Sequence, residues 1–142
     1  MDKNVQQRIE IANRILRVIA AHGRRFFSQD SDQSVRMENP RVSQFEIIKG
    51  RLWFRDKYTD KLIFVHFEPR WRSRWRGFSD GGTLRSLVEH LRDFILKKVD
   101  RVNIKYFGPW AEYVCGGDLW GYGDEMGTVR GQIAALMETV NT

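Results

Sequence analysis

Residues 70–98 read R-W-R-S-R-W-R-G-F-S-D-G-G-T-L-R-S-L-V-E-H-L-R-D-F-I-L-K-K, from Arg70 to Lys98, and two different periodicities meet within them. In the second half Leu84, Leu87, Val88, Leu91, Phe94 and Ile95 recur at helical spacing, so one apolar face predicts a helix over about Thr83 to Lys98. Lys97 and Lys98 at its end suit the negative pole of the helix dipole. In the first half Arg70, Arg72, Arg74 and Arg76 alternate with Trp71, Ser73 and Trp75. An extended chain turns successive side chains to opposite faces, which puts all four guanidinium groups on one side and the tryptophans on the other. That alternation favours core tryptophans beneath surface arginines over tryptophans free to stack on bases. Gly77 to Thr83 is a cluster of turn formers ending in cap residues, so a basic strand or arm feeds a helix N-terminus.

Upstream, Val5, Ile9, Ala12, Leu16 and Ile19, widened by Ile11, Ile15 and Val18, predict a first helix over Asn4 to His22. Asn4 is the candidate cap, Gln7 its return partner, and Gly23 the stop. Arg8, Arg14 and Arg17 read as its polar side. Residues 28–40 are polar and lack periodicity. From Phe45 the period becomes two: Phe45 and Ile47, a Lys49-Gly50 turn, then Leu52 and Phe54 read as a hairpin. Leu62 to Phe67 is a continuous apolar run, which predicts a central strand covered on both faces, with His66 packed inside it. Val102, Ile104 and Tyr106 suggest a further strand. Cys115 to Gly123 interleaves four glycines with aromatics as a tight loop, and a last helix follows Asp124 with Met126, Val129, Ile133, Leu136, Met137 and Val140 as its stripe. The order predicts one α+β domain over residues 1–142, an antiparallel sheet of three to five strands packed against two or three helices.

Composition narrows the function classes. A hydrophobic content of 42% in 142 residues is enough for one packed core, so global disorder is not expected. Without a stretch near 18 apolar residues, and without an apolar run after Met1, the expectation is a cytoplasmic protein with no membrane partner. A single cysteine, Cys115, excludes an internal disulfide framework and argues against a structural zinc site built on cysteines. The net charge of +6 is uneven: residues 1–105 carry 23 Lys/Arg against 13 Asp/Glu, a balance of +10, whereas residues 106–142 have Arg130 against five acids, a balance of −4. Seventeen of the 24 cations are arginine, whose planar fork suits phosphate and carboxylate, so an anionic partner is expected.

Same-face residues on a strand lie about 6.6 Å apart, close to the spacing of phosphates along a nucleic-acid strand. The candidate nucleic-acid-binding residues are therefore Arg70, Arg72, Arg74 and Arg76, with Arg85, Arg24 and Arg25. Ser79 to Thr83 lacks the lysine and the glycine spacing of a phosphate-binding P-loop, and Asp80 would repel a phosphate, so Asp80 or Thr83 reads as a helix cap. Trp110, Trp120 and Tyr122, set among small residues, are candidate protein-contact residues. His22, His66 and His90 show neither metal-ligand spacing nor a pairing with Cys115, so no metal, cofactor or catalytic residue is assigned.

Four blocks carry a resemblance: Gly23 to Phe27 (G-R-R-F-F), the Leu52 to Phe64 hairpin, Trp75 to Arg85 (W-R-G-F-S-D-G-G-T-L-R), and Cys115 to Gly123 (C-G-G-D-L-W-G-Y-G). Together they resemble a family of short proteobacterial proteins encoded in prophages and other mobile elements. Asp80 stands where that pattern has histidine, so no histidine-dependent site carries over. The resemblance implies a mobile-element setting and no catalytic residues. The resulting expectation is a small non-catalytic accessory protein that binds nucleic acid or a nucleic-acid-processing complex. The alternatives are an inhibitor that binds an acidic protein surface of a host defence complex, such as a CRISPR effector, and a small enzyme centred on Cys115 and Asp118.

Overall fold

The computed structural model describes residues 3–22, 42–56, 60–67, 75, 83–102 and 126–138. Within them lie helix α1 (Lys3–His22), strands β1 (Gln44–Ile48), β2 (Arg51–Asp56) and β3 (Lys61–Phe64), helix α2 (Thr83–Ile95) and helix α3 (Met126–Met137). The three strands form an antiparallel sheet in the order β1-β2-β3, so the architecture is α+β as the periodicities predict. The strand expected at Val102 to Tyr106 falls, apart from Val102, outside the described residues, as does the Cys115 to Gly123 loop.

The hairpin follows from two residues. Lys49 and Gly50 both have positive φ, 52° and 75°, the mirror-image turn whose twist matches that of paired strands. This fixes the pairing of Ile48 with Arg51, and from it Phe45 with Phe54 and Glu46 with Trp53. The period of two then sends Phe45, Leu52, Phe54 and Ile63 to one face, where all are buried. With Val65 they join a single hydrophobic cluster that includes Ile11, Ala12, Ile15, Leu16 and Ile19 of α1, Leu87, Val88, Leu91, Phe94 and Ile95 of α2, and Val129, Ile133 and Met137 of α3.

Helix α1 is the hub, in contact with β1, α2 and α3. Two of its polar side chains tie it to distant backbone. Asn13 Nδ2 donates to the carbonyl of Phe45 (3.0 Å), and the Phe45 N–H donates to Asn13 Oδ1 (2.7 Å). Because Leu52 faces β3 with its carbonyl, which accepts from Val65 N–H at 3.2 Å, alternation along the antiparallel pair turns both polar groups of Phe45 away from β2. The amide of Asn13 thus acts as a one-residue strand against the edge of β1. On another side of the helix, Arg8 Nη1 donates to the carbonyls of Phe94 (2.8 Å) and Val99 (2.9 Å), with its guanidinium 4.7 Å from the Phe94 ring centroid. Arg14 and Arg17 are exposed as expected, but Arg8 is half-buried and caps α2 rather than lining a solvated face.

Three local expectations change. α1 already includes Lys3, so Asn4 lies inside the helix instead of capping it. α2 ends at Ile95: Lys97 takes φ of 64°, its N–H bonds Phe94 O (3.2 Å), and Lys98 N–H bonds Asp93 O (2.8 Å), a Schellman closure built on lysine where glycine is usual. β2, not β3, is the middle strand, and Leu62 (37%) and Phe67 (44%) are exposed, so the apolar run of Leu62 to Phe67 is not covered on both faces.

Leu91 and Leu87 are wholly buried, and truncating either to alanine should lower unfolding free energy by about 2–5 kcal/mol in a urea titration. A loss below about 1 kcal/mol in both would place α2 outside the core. Asn13→Leu keeps the bulk of the side chain but strands the Phe45 N–H and carbonyl, and should cost about 1–3 kcal/mol in the same measurement.

Candidate nucleic-acid interface

Of the basic stretch at residues 70–76, Trp75 is the described residue, and it is 1% exposed. Its indole Nε1–H donates to the carbonyl of Phe67 (3.2 Å), its ring meets Phe67 edge-on at 6.4 Å between centroids, and the Arg92 guanidinium carbon lies 5.2 Å from its ring centroid. A ring enclosed in this way is not a platform for a base, which agrees with the inward-facing tryptophan that the Arg/Trp alternation predicts. Arg70, Arg72, Arg74, Arg76, Arg24 and Arg25 lie outside the described residues, and so do Trp110, Trp120, Tyr122, Cys115 and Asp118. Arg85 stands on the first turn of α2.

Beneath Trp75, Arg92 is itself 1% exposed on α2. Its Nη2 lies 3.0 Å from Asp93 Oδ1. Burial pushes the Asp93 carboxyl above its ordinary value, an effect that Arg92 opposes and Glu89 reinforces. His66 completes this corner. Its Nδ1 accepts the Leu52 N–H (3.2 Å), so the imidazole ends the β2-β3 ladder where a strand carbonyl would otherwise continue it. The nitrogen that accepts this bond carries no proton, and the neutral ring is favoured by burial and by the positive charges of Arg51 and Arg92.

The other face of the sheet carries a different surface. The strand register sets Glu46, Trp53 and Phe64 in one row and Gln44, Arg55 and Leu62 in the next. Trp53 and Phe64 lie 4.9 Å apart between ring centroids, and Phe64 is 5.4 Å from Phe67, which makes a continuous aromatic shelf from β2 to the end of β3. Arg55 grips Glu46 through two nitrogens, the Nη2 to Oε1 distance being 3.0 Å, and Gln44 Nε2 donates to Glu46 Oε2 (3.1 Å). Arg51 and Lys49 are exposed at the hairpin end and Lys61 at the opposite end, beside exposed Asp60. Sequence reasoning missed this shelf because it took β3 as buried on both faces. The signal was present in the alternation of Trp53 with Leu52 and Phe54, which marks an aromatic on the face away from the core.

Among the described residues no group of three His, Cys, Asp or Glu side chains is placed to hold a metal ion, and no helix is long and apolar enough to cross a membrane.

The neutral state of His66 has a consequence for stability. Its folded value lies below the ordinary 6.5, so the unfolded chain takes up a proton first as the pH falls. Stability from this group is full above about pH 6.5 and declines as the pH drops from there through the lower folded value. Glutamine at this position stays neutral, so His66→Gln should flatten that decline in urea titrations run from pH 7.5 to about 5. An unchanged slope would assign the acid sensitivity to other groups.

The YoqU family model matches residues 2–134. No curated protein and no solved structure matches the chain. With the match extending from the start of α1 almost to the end of α3, the chain belongs to the YoqU family.

Proposed function

We propose that this YoqU-family chain is a small non-catalytic accessory protein of a phage or other mobile element, acting in the cytoplasm of a proteobacterial host. It binds nucleic acid, or a complex that processes nucleic acid, through the arginine-rich stretch Arg70 to Arg76 together with Arg85, Arg24 and Arg25. The observation that carries this reading is Trp75. Its ring is buried against Arg92 and its indole N–H is bonded to Phe67 O, so the basic stretch is anchored to the folded body one residue before its last arginine. Its covalent neighbours are Arg74 and Arg76. A tryptophan held inward is what an alternating strand requires if its arginines are to face solvent. The balance of +10 over residues 1–105 adds a long-range attraction for a polyanion.

Contacts of this kind are made to phosphates, which are the same for every base, so they are independent of sequence, and they weaken with salt because each neutralised phosphate releases condensed counterions. Arg72→Ala and Arg74→Ala should each lower affinity for nucleic acid and flatten the dependence of log K on log salt by about one unit, with melting temperature nearly unchanged. The check is a set of binding isotherms at several salt concentrations with a thermal melt of each variant. Unchanged salt slopes in both variants, or no binding by the wild-type chain at about 0.15 M ionic strength, would overturn the reading.

A further inference from the structure

The aromatic shelf on the outer face of the sheet is not used by the contacts just proposed. Isolated exposed apolar residues are ordinary, but here Trp53, Phe64 and Phe67 are contiguous and Phe67 is 44% exposed. Three features restrict what such a shelf takes. Its rings are flat and broad, which suits a flat ligand better than a branched aliphatic side chain. Its one acid within the aromatic row, Glu46, is held by Arg55 and Gln44, so an anion passing over the row does not meet a free carboxylate there. Lys49 and Arg51 are exposed beside it at the hairpin turn. Flat rings flanked by cations match a chain of flat bases joined by phosphates.

In sequence the shelf leads toward the basic stretch. Phe67, its exposed end, precedes Arg70 by three residues, and its carbonyl holds the indole of Trp75 within that stretch. We propose that the outer sheet face, through Trp53, Phe64 and Phe67, stacks unpaired bases of a single-stranded polynucleotide whose phosphates are met by Arg51 and Lys49. This deepens the nucleic-acid reading and rests on it. Bases in a duplex are stacked on each other and offer the shelf only their edges, so the surface selects single strands. Selection comes from ring stacking, which every base permits, and not from hydrogen bonds to base edges, so it is tolerant of sequence.

The test uses the full chain and three labelled probes: a short oligothymidylate, an abasic oligomer with the same number of phosphates, and a duplex containing the same strand. Wild type should bind the oligothymidylate more tightly than either of the others. Phe67→Ala should weaken oligothymidylate binding roughly 5- to 150-fold while leaving the abasic oligomer and the salt slope unchanged. Phe67→Tyr, which keeps a ring there, should stay within about twofold of wild type. Melting curves of both variants identify any loss that comes from unfolding, and Trp53→Leu gives an independent reading from the other end of the shelf. Salt-dependent binding that is equal for the abasic oligomer, and equal in Phe67→Ala and Trp53→Leu, would overturn the shelf proposal and leave the arginine contacts standing. Absence of binding to all three probes by wild type would overturn both and turn the shelf over to a protein partner.

Discussion

Buried backbone groups need hydrogen-bond partners, and in this fold helix α1 supplies them to elements that its own chain reaches only through tertiary contact. Phe45 N–H and carbonyl point off the edge of the sheet, and Asn13 satisfies both. At the end of α2 the Phe94 carbonyl, which also accepts from Lys97 N–H, takes a second bond from Arg8, which donates as well to the carbonyl of Val99. Arg8 and Asn13 are five residues apart, about 140° around the helix, so one helix addresses the sheet edge on one side and a helix end on another. Its apolar residues fill the space between, with Ala12, Ile15, Leu16 and Ile19 fully buried. The hydrophobic cluster supplies the larger share of the driving force, whereas these four hydrogen bonds set where α1 sits along its neighbours, since each polar group costs about 1–3 kcal/mol if left buried and unpaired.

A second consequence concerns the two faces of the sheet. The mirror-image turn at Lys49 and Gly50 locks the register, and the register decides that Phe54 goes inward while Trp53 goes outward. The inner face closes on the helices. The outer face retains Trp53, Phe64, Leu62 and Phe67, and the Arg55 and Glu46 pair spans β1 and β2 across the same surface. Arg55 is raised above its already high ordinary value by its hydrogen bond and charge contact with Glu46, so the guanidinium stays charged, and the pair, being partly exposed, contributes more to orienting these side chains than to stability. Around the end of β3 the aromatic contacts continue to Trp75 and Arg92, which links the open face to the buried corner at His66. Among the described residues the open aromatic face is therefore continuous with the buried cation Arg92, and the two meet through Phe67 and Trp75.

Much of this was legible in the chain. The six apolar positions from Leu84 to Ile95 mark α2, the Lys49-Gly50 pair marks the hairpin, and Val129, Ile133 and Met137 mark α3, because helix period, strand period and turn chemistry act over a few residues and leave their pattern in any window of that size. The inward tryptophan at position 75 was also legible, from its alternation with arginines. The end of α2 was not, since a lysine at positive φ carries no glycine signature and depends on the bonds from residues 97 and 98 back to the helix.

What the sequence by itself determined is the three helices, the hairpin at Lys49-Gly50 with its register, the fold class and the concentration of positive charge before residue 106. Only the tertiary structure decided that Arg8 is a helix cap, that Asn13 completes a strand edge, that His66 replaces a ladder carbonyl, and that the run from Leu62 to Phe67 is open on one side. The partners concerned are 86 and 91 residues away for Arg8, 32 for Asn13 and 14 for His66. A polar side chain on a helix reads the same in sequence whether it meets water or a carbonyl from the far end of the chain, and an apolar run reads the same whether one or both of its faces are covered. Those differences are set by which surfaces come together, and that is a property of the packed chain alone.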